Sequence, residues 1–206
     1  MKKLFLVAAA ALLALNVNAQ DKASKGLQGT WWAGGQVAFG KTETGVSETK
    51  TNTFVPIVGY FVAPDVTLGL GIGVIGSKTS TTGSSSVTTA ESSTFIVQPL
   101  VRKYWGLGGK FFFFGQASLP MTFGKDKITD DKTTSVGLDV APGFDFIVSK
   151  WMTVETSFSL FNVNSTTYKP NGGDSTNNFN LNFNPFDLNP GTRSVGGLRV
   201  GVKFLF

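Results

Sequence analysis

The chain has 206 residues, with 18 Lys+Arg against 13 Asp+Glu, and neither His nor Cys. It can therefore build no Ser-His-Asp or Cys-His triad, no ordinary zinc, haem or iron–sulfur site, and no disulfide. Charged residues make up 15%, well below the roughly 25% of an average soluble protein, while 19 Phe and 25 Gly are a high share for this length.

Residues 1–19 read as an export signal. Lys2 and Lys3 form a basic head, residues 4–15 form an apolar run, and Val17-Asn18-Ala19 offers small residues where a signal peptidase cuts. The run is too short to cross a bilayer as a helix. Cleavage after Ala19 leaves residues 20–206 as one domain and lowers the formal net charge from +5 to +3. With no basic run or stripe, nucleic acid is not an expected partner.

From there the chain alternates apolar and small or polar residues, the period of a strand with two different faces. Eight runs do so: residues 31–40, 53–62, 66–76, 94–104, 111–124, 135–148, 152–163 and 195–206. The third is the clearest, with Leu68, Leu70, Ile72 and Val74 on one face and Gly69, Gly71 and Gly73 on the other. Each run approximates the ~9–11 residues that a tilted strand needs to cross hydrocarbon. The connections alternate long and short: 41–52, 63–65, 77–93, 105–110, 125–134, 149–151 and 164–194. Long loops at one end and tight turns at the other predict an all-β fold, an eight-stranded antiparallel up-and-down transmembrane β-barrel.

Alternation alone leaves open which face points inward, because a lipocalin-like barrel is apolar inside and a membrane barrel is apolar outside. Here the polar faces are mostly Gly, Ser, Gln and Ala. A water-facing exterior would carry many Lys and Glu, whereas small residues suit the crowded interior of an eight-stranded barrel. The large faces then meet lipid, and closure leaves no unpaired backbone edge in hydrocarbon. Trp31, Trp32, Tyr60, Phe61, Tyr104, Trp105, Phe111 to Phe114 and Trp151 gather by the short turns as an interfacial girdle would. The register, however, also allows Trp32, Phe112 and Phe114 to point inward.

On these residues the chain resembles the small eight-stranded outer-membrane barrels of the OmpA/OmpX type, and more closely the compact outer-membrane β-barrel domain family. The matching pieces are Gly59-Tyr60-Phe61-Val62, Leu68-Gly69-Leu70-Gly71 and Pro99-Leu100-Val101-Arg102-Lys103-Tyr104. The end, Gly201-Val202-Lys203-Phe204-Leu205-Phe206, looks like the C-terminal signal read by the barrel-assembly machinery, with Phe204 and Phe206 as its aromatic residues. The resemblance implies a Gram-negative outer-membrane location and partners in outer-membrane lipid and, during biogenesis, that machinery. One departure is the stretch 178–190, too long for a simple final hairpin. There Phe179, Leu181 and Phe183 alternate with Asn, predicting an extension of the last strand above the membrane before a bulge at 185–192.

Motifs that could carry chemistry are weak. Gly71-Ile-Gly73-Val-Ile-Gly76 has the dinucleotide-binding spacing, but a Ser/Thr tract follows where a helix would have to meet the pyrophosphate. Ser47 and Lys50 echo a serine–lysine pair with no helix to aim them. Asp126, Asp130 and Asp131 lie among Lys125, Lys127 and Lys132, without the Gly and terminal Glu of a calcium loop. No catalytic residue, metal or cofactor is expected. The inward-facing charges are more informative. Counting from the short turns puts Arg102, Asp145, Glu155 and Lys203 at similar depth, with Arg199 and Asp139 one layer higher. Unpaired buried charges cost several kcal/mol, so each balanced layer should pair across the lumen. Two functions fit: a non-enzymatic surface protein whose loops meet an unknown ligand, or a narrow passive pore.

Overall fold

The computed structural model describes residues 26–82, 86–183 and 199–206. The export signal, the bulge at 185–192 and the first residues of the last predicted strand lie outside the described residues. Eleven strands are described: β1 (Trp31–Thr44), β2 (Ser47–Ala63), β3 (Val66–Thr82), β4 (Ser86–Gly108), β5 (Phe111–Ser118), β6 (Met121–Asp126), β7 (Lys132–Ser149), β8 (Met152–Ser157), β9 (Phe161–Lys169), β10 (Thr176–Asn182) and β11 (Arg199–Leu205). Every pairing between them is antiparallel.

They make eight wall positions, because three positions are each built from two segments. β5 and β6 both lie between β4 and β7, β8 and β9 both pair with β7, and β10 and β11 complete the eighth position on β9 and β8. β11 closes the ring on β1 through Trp32↔Leu205 and Ala33↔Phe204. Reciprocal Trp31–Phe206 backbone bonds of 2.9 and 3.0 Å seal the same edge. The result is a closed eight-stranded antiparallel barrel.

The predicted fifth run is interrupted at Leu119-Pro120, since proline has no N–H for the ladder. The register continues across the gap: Ser118 faces Asp139 and Met121 faces Val136. The predicted seventh run contains a true irregularity. Ser157 faces Gly143 but Phe161 faces Val140, so one extra residue is accommodated between them, a β-bulge. Ser159 keeps the inward parity of Glu155 and Ser157, and beyond it the bulge moves the lumen-facing positions of β9 to Asn162 and Asn164. On the final stretch, β10 pairs along β9 from Thr176↔Tyr168 to Asn182↔Asn162. It extends the eighth position upward, with Phe179 and Leu181 on the outer face.

The long connections prove to be tall hairpins. The β1–β2 ladder runs on to Thr44↔Ser47, leaving only Gly45-Val46 as the turn where residues 41–52 were expected to loop. Apolar alternation stops there because both faces now meet water, yet Thr-rich strands still pair. Lys41 bridges Glu43 and Glu48 at 2.6 and 2.9 Å, and Lys50 bridges Glu48 at 2.6 Å.

The outer wall is apolar well beyond the few hundred Å² that a water-facing monomer tolerates. Val58, Leu68, Ile72, Val74 and Phe146 all point outward and are exposed. On the long-hairpin side this surface ends along one cross-strand row, Phe54–Val74–Phe95–Phe123. From β2 to β6 the next outward row is polar, Asn52, Gly76, Ser93 and Lys125, while Phe39 of β1 stands exposed at its end. At the short turns, Trp31 packs on Tyr60 at 5.0 Å, Trp105 on Phe113 at 5.5 Å and Trp151 on Phe204 at 6.0 Å, as an interfacial aromatic belt does.

Two members of the expected girdle are corrected. Phe61 and Tyr104 point into the lumen, 1% and 7% exposed. Phe61 shares the parity of inward-facing Val55 and Ile57, and Tyr104 that of Arg102, so strand alternation outweighs nearness to a turn.

Candidate functional site: a charged layer across the lumen

The lumen near the short turns is filled by Trp32, Phe61, Leu100, Tyr104, Phe114 and Leu205. Glycines make the room. A Cβ on Gly59 would lie 2.3 Å from the Trp32 indole, and one on Gly143 would lie 2.4 Å from the Phe114 ring. The G-x-G spacing in β3 serves this packing: Gly69, Gly71 and Gly73 all face inward, and a Cβ on Gly69 would lie 3.2 Å from Trp32. The Trp32 indole N–H donates to the Thr67 hydroxyl at 2.7 Å, so no polar group of that ring is stranded.

The charged layer lies against this aromatic floor. Arg102 Nη1 donates to Glu155 Oε2 at 2.5 Å and Nη2 to Oε1 at 3.3 Å. Its Nε and Nη2 both donate to Gln116 Oε1, at 3.1 and 2.7 Å. The flat guanidinium lies 4.1 Å from the Phe114 ring centroid, a cation–π contact that strengthens away from water. Lys203 Nζ donates to Asp145 Oδ2 and lies 3.8 Å from Glu155 Oε2. Both cations donate to one acceptor, the Tyr104 hydroxyl, Lys203 at 2.9 Å and Arg102 at 3.1 Å.

One layer up, Ser159 donates to Asp139 Oδ1, and Arg199 Nη1 stands 3.8 Å from Asp139 Oδ2. All six charges singled out in the sequence thus face the lumen, in two groups. Arg102, Asp145, Glu155 and Lys203 form one connected set, and Asp139 with Arg199 form the other. Sequence reasoning missed Gln116, Ser159 and the bridging role of Tyr104. Parity was the available signal for Gln116 and Tyr104, because both alternate in step with the inward Phe114 and Arg102. The same signal held for Ser159, which alternates in step with the inward Glu155 and Ser157.

The other motifs lie elsewhere. Ser47 and Lys50 sit in the outer hairpin ladder, Lys50 held by Glu48. Asp126 Oδ1 accepts the Ile128 and Thr129 N–H groups at 2.7 and 3.0 Å, and Lys125 pairs with Asp130 at 2.6 Å. Asp131 accepts the Tyr168 hydroxyl at 2.6 Å and the Asn171 N–H at 2.8 Å. These carboxylates organise turns. The hydrogen bonds from Thr129 and Ile128 lower the Asp126 pKa, and those from Tyr168 and Asn171 lower that of Asp131.

The geometry defines a class: a closed membrane barrel of eight wall positions, with an apolar outer wall and a lumen crossed by aromatic and ion-paired side chains. Residues 7–184 match the outer membrane protein beta-barrel domain family, and the chain belongs to that family. No curated protein sequence matches it. Among solved structures it is similar to the outer membrane protein OprG from Pseudomonas aeruginosa, at a TM-score of 0.55 and 13% identity over 88% of this chain and 97% of that one. At that identity the likeness speaks for the fold alone.

Proposed function

We propose that the protein is an integral outer-membrane barrel with a non-enzymatic, structural and surface-contact role. The wall anchors it in lipid, and the tall hairpins carry contacts to a ligand outside the cell. Export would use residues 1–19 as a cleaved signal, and insertion by the barrel-assembly machinery would read Phe204 and Phe206. The observation that carries this reading is the connected layer Arg102–Glu155–Lys203–Asp145 on its aromatic floor. It ties β4, β5, β7, β8 and β11 together across the space that a solute would have to use.

Planar-bilayer recording of the purified protein tests it, with silence expected. Steady single-channel openings would favour the second reading, a narrow passive pore. In favour of that alternative, the Glu155 side chain is 22% exposed and that of Arg199 is 41% exposed. Charged groups of that kind could line a constriction.

A further inference from the structure

Above the apolar wall, β1 to β4 keep charges and hydroxyl groups on separate faces. All six charged residues of 41–52 and 77–93, Lys41, Glu43, Glu48, Lys50, Lys78 and Glu91, share the outward parity of Phe54, Val74 and Phe95. On these four strands the inward positions over the same height carry no charge. Thr42, Thr49, Thr51, Ser77, Thr79 and Ser92 are among them, all half-buried. Hydrocarbon does not impose this division, because both faces stand beyond the lipid. The outward charges offset one another: Glu48 bridges Lys41 and Lys50, Lys41 also meets Glu43, and Glu91 meets Lys127.

The inner face can hydrogen-bond without charge. Register aligns Thr42–Thr49–Thr79 in one row and Thr51–Ser77–Ser92 in the next, with neighbouring strands about 4.8 Å apart. The Thr49 and Thr79 hydroxyls meet at 3.0 Å, and the pair still has donor and acceptor capacity to offer. Each threonine also presents a methyl group beside its hydroxyl. A charged ligand would give up hydration here and meet no counter-charge on these strands. An anion is disfavoured further, because the second row ends on Asp126 of β6 and Asp131 lies in the same turn.

We propose that the inner face of β1 to β4 above the membrane binds a neutral oligosaccharide from outside the cell. The proposal gives a chemical class to the ligand of the surface-contact reading and rests on that reading. A sugar hydroxyl both donates and accepts, as Ser and Thr hydroxyls do, and the C–H groups of a sugar ring can pack on the threonine methyls. The face is turned toward the barrel axis, away from the lipid around the wall. Its ligand therefore comes from the medium and not from the sugar chains of neighbouring lipids, which meet the charged outer face.

The chain has no Cys, so single introduced thiols test each face. Thr49→Cys and Ser77→Cys report on the inner face, and Lys50→Cys and Lys78→Cys on the outer face one position away. The folded variants in detergent are alkylated by a maleimide with maltohexaose, cellohexaose, mannohexaose, anionic hexagalacturonate or cationic hexaglucosamine present. Without sugar, all four thiols should react. At least one neutral sugar should slow the inner thiols about fivefold at about four times its Kd, when one face in five is free. The outer thiols should not respond, nor should the inner ones to either charged sugar. Thr79→Lys should abolish the protection of Ser77→Cys while heat-modifiable mobility shows an intact barrel. Equal protection by a charged sugar, equal protection of the outer thiols, or none from any neutral sugar would overturn the site. Inner thiols that stay unreactive without sugar would also overturn it, by showing the face already covered by residues 184–198 or by a second copy. Steady single-channel openings in planar bilayers would instead remove the surface-contact reading, whatever the thiols report.

Discussion

The Lys203 ammonium and the Tyr104 hydroxyl meet at 2.9 Å in the lumen although their residues stand on opposite walls. β4 and β11 are four positions apart in either direction around the eight-membered ring. The same hydroxyl accepts from Arg102 at 3.1 Å. A neutral oxygen thus lies between two cations, each also held by its own carboxylate. The layer is a cross-brace whose members depend on one another.

Replacing Arg102 with Leu leaves Glu155 with Lys203 at 3.8 Å as its nearest cation. Breaking a buried pair by removing one partner costs about 3–5 kcal/mol. The expected outcome is a clearly lower urea midpoint in detergent for Arg102→Leu, with part of the loss recovered in Arg102→Leu/Glu155→Leu. An unchanged midpoint in the single variant would mean that the pair contributes nothing to stability. Tyr104→Phe should cost less, about 1–3 kcal/mol, as it removes an acceptor and leaves both cations their carboxylates.

Gly59→Ala tests the fit between glycines and rings. The three atoms nearest the added Cβ all belong to Trp32, the closest at 2.3 Å, so overpacking of about 1–3 kcal/mol is expected. Trp32→Leu in the same chain should recover part of it, read as the fraction showing heat-modifiable mobility on a gel. Additive losses would show that the ring and the glycine are not matched.

The outer end of β7 and β9 should respond to pH from both sides. The Tyr168 hydroxyl and the Asn171 N–H depress the Asp131 pKa. The stability from this contact is therefore present above the unfolded carboxyl value of about 4 and is lost as pH falls through the lower folded value. The Tyr168 pKa is raised by its bond to Asp131. Its contribution is present below the unfolded phenol value of about 10 and is lost as pH rises through the higher folded one. Protection of the Asn171 amide, followed by NMR in micelles, should form a plateau between these limits. Tyr168→Phe should remove the alkaline limb, and an unaltered alkaline limb in that variant would exclude the phenol as its source.

Replacing Phe206 tests its proposed role in assembly separately from folding. Its side chain is 70% exposed while its backbone closes the ring on Trp31. Phe206→Ala should therefore refold in detergent as the wild type does, yet reach the outer membrane of cells at several-fold lower yield. Equal yields in cells would show that this ring is not read during insertion. Phe204→Ala should weaken both steps, because Phe204 also stacks on Trp151.

Barrel topology and the inward set of charges could be read from residue order, because successive Cβ atoms of a strand point to opposite faces. Leu68 to Val74 and Gly69 to Gly73 divide the wall that way without any tertiary knowledge, and so do Arg102, Asp145, Glu155 and Lys203. Only the folded ring decided which inward groups meet. Contacts across the lumen depend on the stagger of eight strands, and one bulge before Phe161 is enough to set Asn162 rather than Phe161 opposite Asp139. The heights of the hairpins were equally hidden. Beyond the lipid both faces of a strand are wet, the apolar period vanishes, and hydrogen-bond register alone carries the ladder on to Thr44 and Ser47.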